Sequence, residues 1–326
     1  MKHIGRLALF LFLAVNAFFI GMLLLTAYSP YINPEVHPLQ SCLGLTFPIF
    51  LVINFCFLVF WLIVRYRLAL VPLLGFLLCY PQIRTYMPIN MEPSGQPENS
   101  IKLLSYNIMS FGNMKKENGQ NPILNYIKNS KADIVCMQEY AGSETAKIHL
   151  NNKEIRQALK DYPYRHIKQV GKTGAGSQIA CYSKFPILSA RMLDYQSNYN
   201  GSMVYDIKIG KDTVLLINNH LESNKLTRED KVVYEDMLKD PKALPQREVV
   251  AGERKVKSGI RQLVNKLAEA SAIRSAQARA IAQEIARSPY PSVIVCGDFN
   301  DSPISYAHRV ISQDLDDAFT ESGRGL

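Results

Sequence analysis

Two long stretches without a charged residue constrain this chain before anything else does. Residues 7–27 and 43–64, 21 and 22 residues long, contain no Asp, Glu, Lys or Arg. About 20 such residues cover the hydrocarbon core of a bilayer as an α-helix. A helix also satisfies its backbone hydrogen bonds within one segment, which the core requires. Lys2 and Arg6 precede the first stretch, as in a secretory signal. Its apolar part is longer than a signal's, however, and a second stretch follows at once. The expectation is a retained membrane anchor over residues 1–90.

A third segment, 68–80, is interrupted by Pro72 and reaches spanning length only when extended to Pro88 across Arg84. It reads as a third span or as an interfacial segment, and sidedness depends on that choice. Lys2 and Arg6 assign the N-terminus to the cytoplasm, residues 28–40 hold no Lys or Arg and lie outside, and Arg65 and Arg67 return inside. Three spans put everything after residue 88 on the extracytoplasmic, periplasmic side; two keep it in the cytoplasm. Three are favoured, because the third segment stays apolar for most of a span.

Residues 91–100 (MEPSGQPENS) are rich in Pro, Gly and polar side chains and read as a linker. Of the 37 basic and 28 acidic residues in the chain, five and one fall within the first 84. The remainder is mildly basic, which suits an anionic substrate or an anionic lipid surface, and equally suits plain solubility. The six cysteines sit singly in or beside apolar runs, without the paired spacing of a zinc site. They read as small buried hydrophobes and do not define a redox compartment.

Beyond the linker, short apolar runs read as strands at 101–108, 132–137, 178–182, 187–193, 203–209, 213–218 and 293–296. Helical patterns lie at 122–131, 153–162 and 306–312. Strands that are both adjacent and alternating with helices point to a layered α/β sandwich rather than one doubly wound sheet. Residues 225–287 form a long, mostly helical insertion. Its segment 253–266 holds five basic residues (Arg254, Lys255, Lys257, Arg261 and Lys266) against one acid. Two readings stay open: a basic arm that grips substrate or lipid headgroups, or the solvated face of an amphipathic helix with Ile260, Val264 and Leu267 inward.

Polar residues recur where apolar strands end. Asp298 and Asn300 follow the run 293–296, and alternation along a strand would point both the same way. Asn107 follows 103–106, Glu139 follows 134–137, and Asn218, Asn219 and His220 follow 214–217. Singly, each has an ordinary explanation as a turn residue, a cap or a structural histidine. Four strand ends of one kind describe a rim instead. A carboxylate there can activate water, and amides and imidazoles can hold a phosphate oxygen. The oxygen-rich set fits Mg²⁺, which takes one or two carboxylates and keeps several waters; zinc is disfavoured by the lack of a Cys/His cluster.

These motifs resemble the endonuclease/exonuclease/phosphatase superfamily, the deoxyribonuclease I-like phosphoesterases. The matching signatures are SYNI with Asn107, DIVCMQE with Glu139, INNHLES with His220 and VCGDFNDSP with Asp298 and Asn300, with SQIACYSKFPI at 177–187 a weaker match. The resemblance covers 101–326 and implies a four-layer α/β sandwich of two packed mixed sheets, behind an N-terminal transmembrane region like that of membrane-tethered bacterial members. It implies phosphodiester or phosphomonoester hydrolysis with Mg²⁺ or Mn²⁺. By the same resemblance Asn107 and Glu139 would hold metal, His220 would stabilise the phosphate, Asp298 would orient or deprotonate water, and Asn300 would position it. The substrate would be a nucleic acid, a lipid headgroup or a small phosphoester, with no obligate protein partner. The family's last strand, with an Asp-His pair, has no counterpart here, and the last of the six histidines is His308. The chain thus reads as a truncated enzyme with weak or no turnover, or, in the alternative, as a non-catalytic binding module tethered to the membrane.

A reporter enzyme fused at residue 95 tests the sidedness. An extracytoplasmic reporter is expected to be active there, and activity seen only with a cytoplasmic reporter would reverse the assignment.

Overall fold

The computed structural model describes residues 2–325 except 92–94, 96, 98–99, 114–115, 118, 145–149, 172–177, 196, 198 and 225–250; for residues 2–5 and 251–260 it describes the backbone alone. Parts of the expected linker, the start of the SQIACYSKFPI match and most of the basic side chains of 253–266 therefore lie outside the described residues. The chain divides into two compact units. One holds Met1–Pro93, Asn224–Ser275 and Asp301–Leu326, and the other Ser94–Ser223 and Ala276–Asn300. Residues 301–325 thus cluster with the N-terminal helices.

In the first unit, two helices are long and apolar enough to cross a membrane, over Arg6–Ala27 and Pro38–Val64. The third segment is two helices, Tyr66–Leu78 and Tyr80–Tyr86, bent by 67° at Cys79. That bend leaves a broken span or a re-entrant loop. The two long helices are joined by polar contacts as well as by apolar packing. Trp61 Nε1 donates to Asn16 Oδ1 at 2.9 Å, and Asn54 Nδ2 donates to the Phe19 carbonyl at 3.0 Å. Such bonds are favoured where the alternative is a polar group in hydrocarbon. Residues from the end of the chain complete this unit. Ile304 is buried with Leu23, Ala27 and Phe47, and Asn90 Nδ2 donates to the carbonyls of Thr320 and Gly323 at 3.0 and 2.8 Å.

Among the described residues, the second unit contains ten strands: β1 (Leu103–Asn107), β2 (Ile134–Tyr140), β3 (Gly142–Ser143), β4 (Leu150–Asn151), β5 (Tyr164–Gln169), β6 (Gln178–Ser183), β7 (Ile187–Met192), β8 (Gly201–Ile209), β9 (Asp212–His220) and β10 (Ser292–Asp298). They form two mixed four-stranded sheets in the orders β1-β2-β6-β5 and β10-β9-β8-β7, and β3 pairs with β4. Each large sheet has one parallel pair, β1 with β2 and β10 with β9.

Alternation explains why the sheets pack. Ile134, Cys136, Ile179 and Cys181 of the first sheet meet Met203, Tyr205, Ile207 and Leu216 of the second in one core. The alternate residues Val135, Met137, Ala180 and Tyr182 point the other way, into a core with Leu124, Ile127 and Ile155 from the helices Pro122–Ser130 and Asn152–Ala158. Beside the second sheet, Arg191 of β7 pairs with Glu284 of the helix Ala251–Ala286. The three cysteines expected to be small hydrophobes in this unit behave so: Cys136 and Cys181 are fully buried and Cys296 partly.

The strand β5 is absent from the sequence reading. Its sequence YRHIKQ is largely exposed, and it forms a sheet edge against β6. The helix expected at 153–162 is shorter, Asn152–Ala158, with Asn151 as its cap.

One core residue offers a direct test. The Tyr205 ring is fully buried, and its hydroxyl has no hydrogen-bond partner among the described residues. A buried hydroxyl left unpaired costs roughly 1–3 kcal/mol. Tyr205→Phe is expected to raise stability by about 1 kcal/mol, read as a higher midpoint of thermal unfolding in detergent micelles. A lower midpoint would show that the hydroxyl is satisfied.

Candidate active site

Both sheets deliver polar side chains to one rim. Asn107 ends β1, Glu139 lies near the end of β2, His220 ends β9 and Asp298 ends β10. The register sets His220 directly opposite Asp298 and Asn107 opposite Gln138. Asn107 joins the sheets at this rim: its Nδ2 donates to Glu139 Oε1 at 3.0 Å and to Asp298 Oδ2 at 2.9 Å. Its Oδ1 accepts the Met109 N–H at 3.2 Å. His220 Nε2 lies 3.7 Å from Glu139 Oε1. The four residues read at strand ends therefore converge.

Asn300 differs from its expectation. Strand alternation does not carry it to the rim, because β10 ends at Asp298 and Asn300 takes a left-handed φ of 51°. Its N–H donates to Asp298 Oδ1 at 3.0 Å, and its Nδ2 donates to the Leu221 carbonyl at 3.0 Å. Asn300 thus closes an Asx turn that holds one oxygen of Asp298, while Asn107 holds the other.

Asn218 and Asn219 also differ, as they lie within β9 and are fully buried. Asn218 Oδ1 accepts from Gln138 Nε2 at 2.6 Å, and its Nδ2 donates to the Ala180 carbonyl at 3.3 Å. Asn219 accepts from Ser202 Oγ at 2.5 Å and donates to the Cys296 carbonyl at 3.1 Å. These amides brace the strands beneath the rim.

The backbone around the site is strained. Glu139 has φ 50°, at a break in the β2–β6 register, and Met109, Ser110, Phe111 and Asn113 all lie between 42° and 56°. Non-glycine residues enter this region at a cost, and such positions concentrate at functional sites. A β-bulge next to a site re-aims a side chain, and here it turns Glu139 to the rim. The sequence gives no sign of the roles of Gln138, Gly297 or the left-handed turn after Asn107, and it presents Asn218 as a rim residue where the structure buries it as a brace.

The buried imidazole of His220 is pushed below its ordinary pKa by desolvation, against the opposing pull of Asp298, Glu139 and Glu222. A neutral imidazole at neutral pH can still donate one hydrogen bond. Among the described residues, no group of three or more His, Cys, Asp or Glu side chains forms a closed cage for a metal ion. An open site of one or two carboxylates with water is the arrangement that suits Mg²⁺.

With this geometry in place, comparison identifies the class. The chain belongs to the endonuclease/exonuclease/phosphatase family, whose model matches residues 104–324. Residues 9–86 match a domain of unknown function. No curated protein matches the chain. Among solved structures, sphingomyelinase C from Streptomyces griseocarneus is 20% identical, with 68% of this chain and 70% of that one covered and a TM-score of 0.40. A mutant beta toxin from Staphylococcus aureus with bound magnesium ions is 18% identical, covers 67% and 71%, and has a TM-score of 0.38. Truncated TDP2 from Caenorhabditis elegans is 19% identical, covers 62% and 63%, and has a TM-score of 0.36. Likenesses this distant do not assign a substrate.

Gly297 tests the fit of β10 against β9. It has φ 136°, and a Cβ there would sit 2.1 Å from the Asn219 carbonyl oxygen. Gly297→Ala is expected to destabilise the protein by at least ~2 kcal/mol. An unchanged unfolding midpoint would mean that the strands do not meet this closely.

Proposed function

We propose that the chain is a membrane-anchored, divalent-metal-dependent phosphoesterase that hydrolyses a phosphodiester or phosphomonoester with activated water. One observation carries this reading: Asn107, Glu139, His220 and Asp298 converge from two sheets within a family of that name. The apolar helices support the anchor, with the domain on the periplasmic side if the bent pair acts as a third span.

Asp298 is the group proposed to orient the attacking water and take its proton. Both of its oxygens accept hydrogen bonds, from Asn107 and from the Asn300 N–H, so its orientation is set before substrate arrives. His220, buried and neutral, is proposed to donate to a phosphate oxygen, where a preorganised donor stabilises the charge that develops there. Asn300 positions Asp298 rather than water. Glu139, about two-thirds buried, and Asn107 are the proposed metal ligands. A half-turn of the Asn107 amide would present its oxygen in place of its nitrogen, and the Asn300 N–H would then hold Asp298 alone. A bound Mg²⁺ or Mn²⁺ would polarise the phosphoryl oxygens and counter the charge of the carboxylates.

Substrate class follows less directly. A tether to the bilayer favours a lipid headgroup over a nucleic acid, for which no aromatic stacking platform is evident in the sequence. The full chain in nanodiscs with Mg²⁺ is to be assayed on bis(p-nitrophenyl) phosphate, p-nitrophenyl phosphate, sphingomyelin vesicles and DNA. Release that is lost with EDTA and falls by roughly 100-fold or more in Asp298→Ala is expected. Mg²⁺ binding without turnover on any of the four would favour the tethered binding module. Turnover that survives Asp298→Ala would displace Asp298 from its role.

A further inference from the structure

Glu222 is 2% exposed and lies two residues past the end of β9. A carboxylate removed from water is costly unless its oxygens are hydrogen-bonded. Here Glu222 Oε2 accepts the Ser197 hydroxyl at 2.8 Å, and Ser197 Oγ in turn accepts the Asn200 N–H at 3.0 Å. Ser197 and Asn200 are themselves 8% and 5% exposed. The Glu222 N–H donates to Gln277 Oε1, on the helix Ala251–Ala286, at 2.9 Å. Gln277 is 1% exposed, and its amide nitrogen has no hydrogen-bond partner among the described residues. A buried side chain that leaves its donor unused is there for its acceptor.

The segment 220–222 is therefore gripped from two directions. On the rim side, the Leu221 N–H donates to the Asp298 carbonyl at 2.9 Å, and the Leu221 carbonyl accepts from Asn300 Nδ2 at 3.0 Å. On the far side, Glu222 is tied to Ser197 by its carboxylate and to the helix by its N–H. His220 begins this segment and has one short stretch of backbone between it and the brace.

We propose that Glu222, seated by Ser197 and Gln277, is a positioning residue for His220: it fixes the exit of β9 so that the imidazole stays beside Glu139 and opposite Asp298. This deepens the hydrolase reading above and rests on it. Ser197 lies outside the strands, and Gln277 lies on the helix Ala251–Ala286. The brace thus makes the His220 position depend on elements outside the four strands that carry the rim.

The test uses the full chain in nanodiscs, with bis(p-nitrophenyl) phosphate as the probe and diethylpyrocarbonate labelling of His220 read by peptide mass spectrometry. Glu222→Ala and Gln277→Leu are expected to lower kcat by roughly 10–100-fold with KM within about 2-fold, since orientation and not binding is lost. Both are expected to raise the labelling rate of His220 about 3-fold or more, as a loosened imidazole becomes reachable. Glu222→Gln, which can still accept the Ser197 hydroxyl, is expected to recover most of kcat and the slow labelling. Unchanged kcat and labelling in Glu222→Ala and Gln277→Leu would overturn the proposal. So would a loss in Glu222→Gln equal to that in Glu222→Ala, which would assign the effect to charge. If the wild-type chain hydrolyses nothing, the hydrolase reading fails by itself, and the labelling rates still decide whether Glu222 holds His220.

Discussion

A buried hydrogen bond between two amide side chains helps to align the two sheets beneath the rim. Gln138 Nε2 of β2 donates to Asn218 Oδ1 of β9 at 2.6 Å, with both side chains almost wholly buried. Apolar packing is non-directional, so a core of Ile, Met and Leu side chains resists separation of the sheets better than it resists sliding. An amide pair is directional, and breaking it would leave a buried donor and acceptor unpaired at roughly 1–3 kcal/mol each. Its location gives it leverage. Gln138 adjoins Glu139, and Asn218 precedes His220 by two residues, so the same bond that registers the sheets sets where those two side chains meet.

Above that bond the backbone departs from the regular conformations. Glu139, Asn300 and the turn after Asn107 are left-handed without being glycine, and Gly297 takes a φ that only glycine adopts freely. Each non-glycine case costs on the order of 1 kcal/mol or more. The core beneath supplies the compensation, since the neighbouring β2, β6 and β9 residues are nearly all fully buried. At Glu139 the left-handed φ falls at the break in the β2–β6 register, and at Asn300 it accompanies the turn that holds Asp298 Oδ1. An unstrained exit would continue the alternation and send the next polar group to the opposite face.

How far the fold and site were legible follows from the same physics. Strands buried on both faces read as apolar runs, and β2, β6, β8 and β9 are legible on that basis. The exposed edge strand β5, with Arg165, Lys168 and Gln169, has no such pattern, because its pairing satisfies the backbone without burying much side chain. Four of the site residues were legible because each closes an apolar run. Asn300 was assigned for the wrong geometric reason, since period-2 reasoning holds only while the chain stays extended. The bridging role of Gln138 and Asn218 is hidden for a different reason: the bond joins two sheets, and nothing in a local window tells a bridging amide from a solvated one.

Electrostatics supplies the last constraint on what the rim can bind. The groups gathered there, with Glu222 behind them, are carboxylates, amides and an imidazole that burial holds neutral. Two like charges about 4 Å apart repel by about 4 kcal/mol at an effective dielectric constant of 20. The Asn107 amide relieves part of that repulsion between Glu139 and Asp298 by donating to both. It adds no net positive charge, so an incoming phosphate would meet carboxylates that an amide has oriented and not neutralised. Charge balance with these side chains would call for a cation, and oxygen donors of this kind favour a hard one. A divalent cation held by Glu139 and Asn107 would offset the carboxylate charge that an anionic ester would otherwise meet.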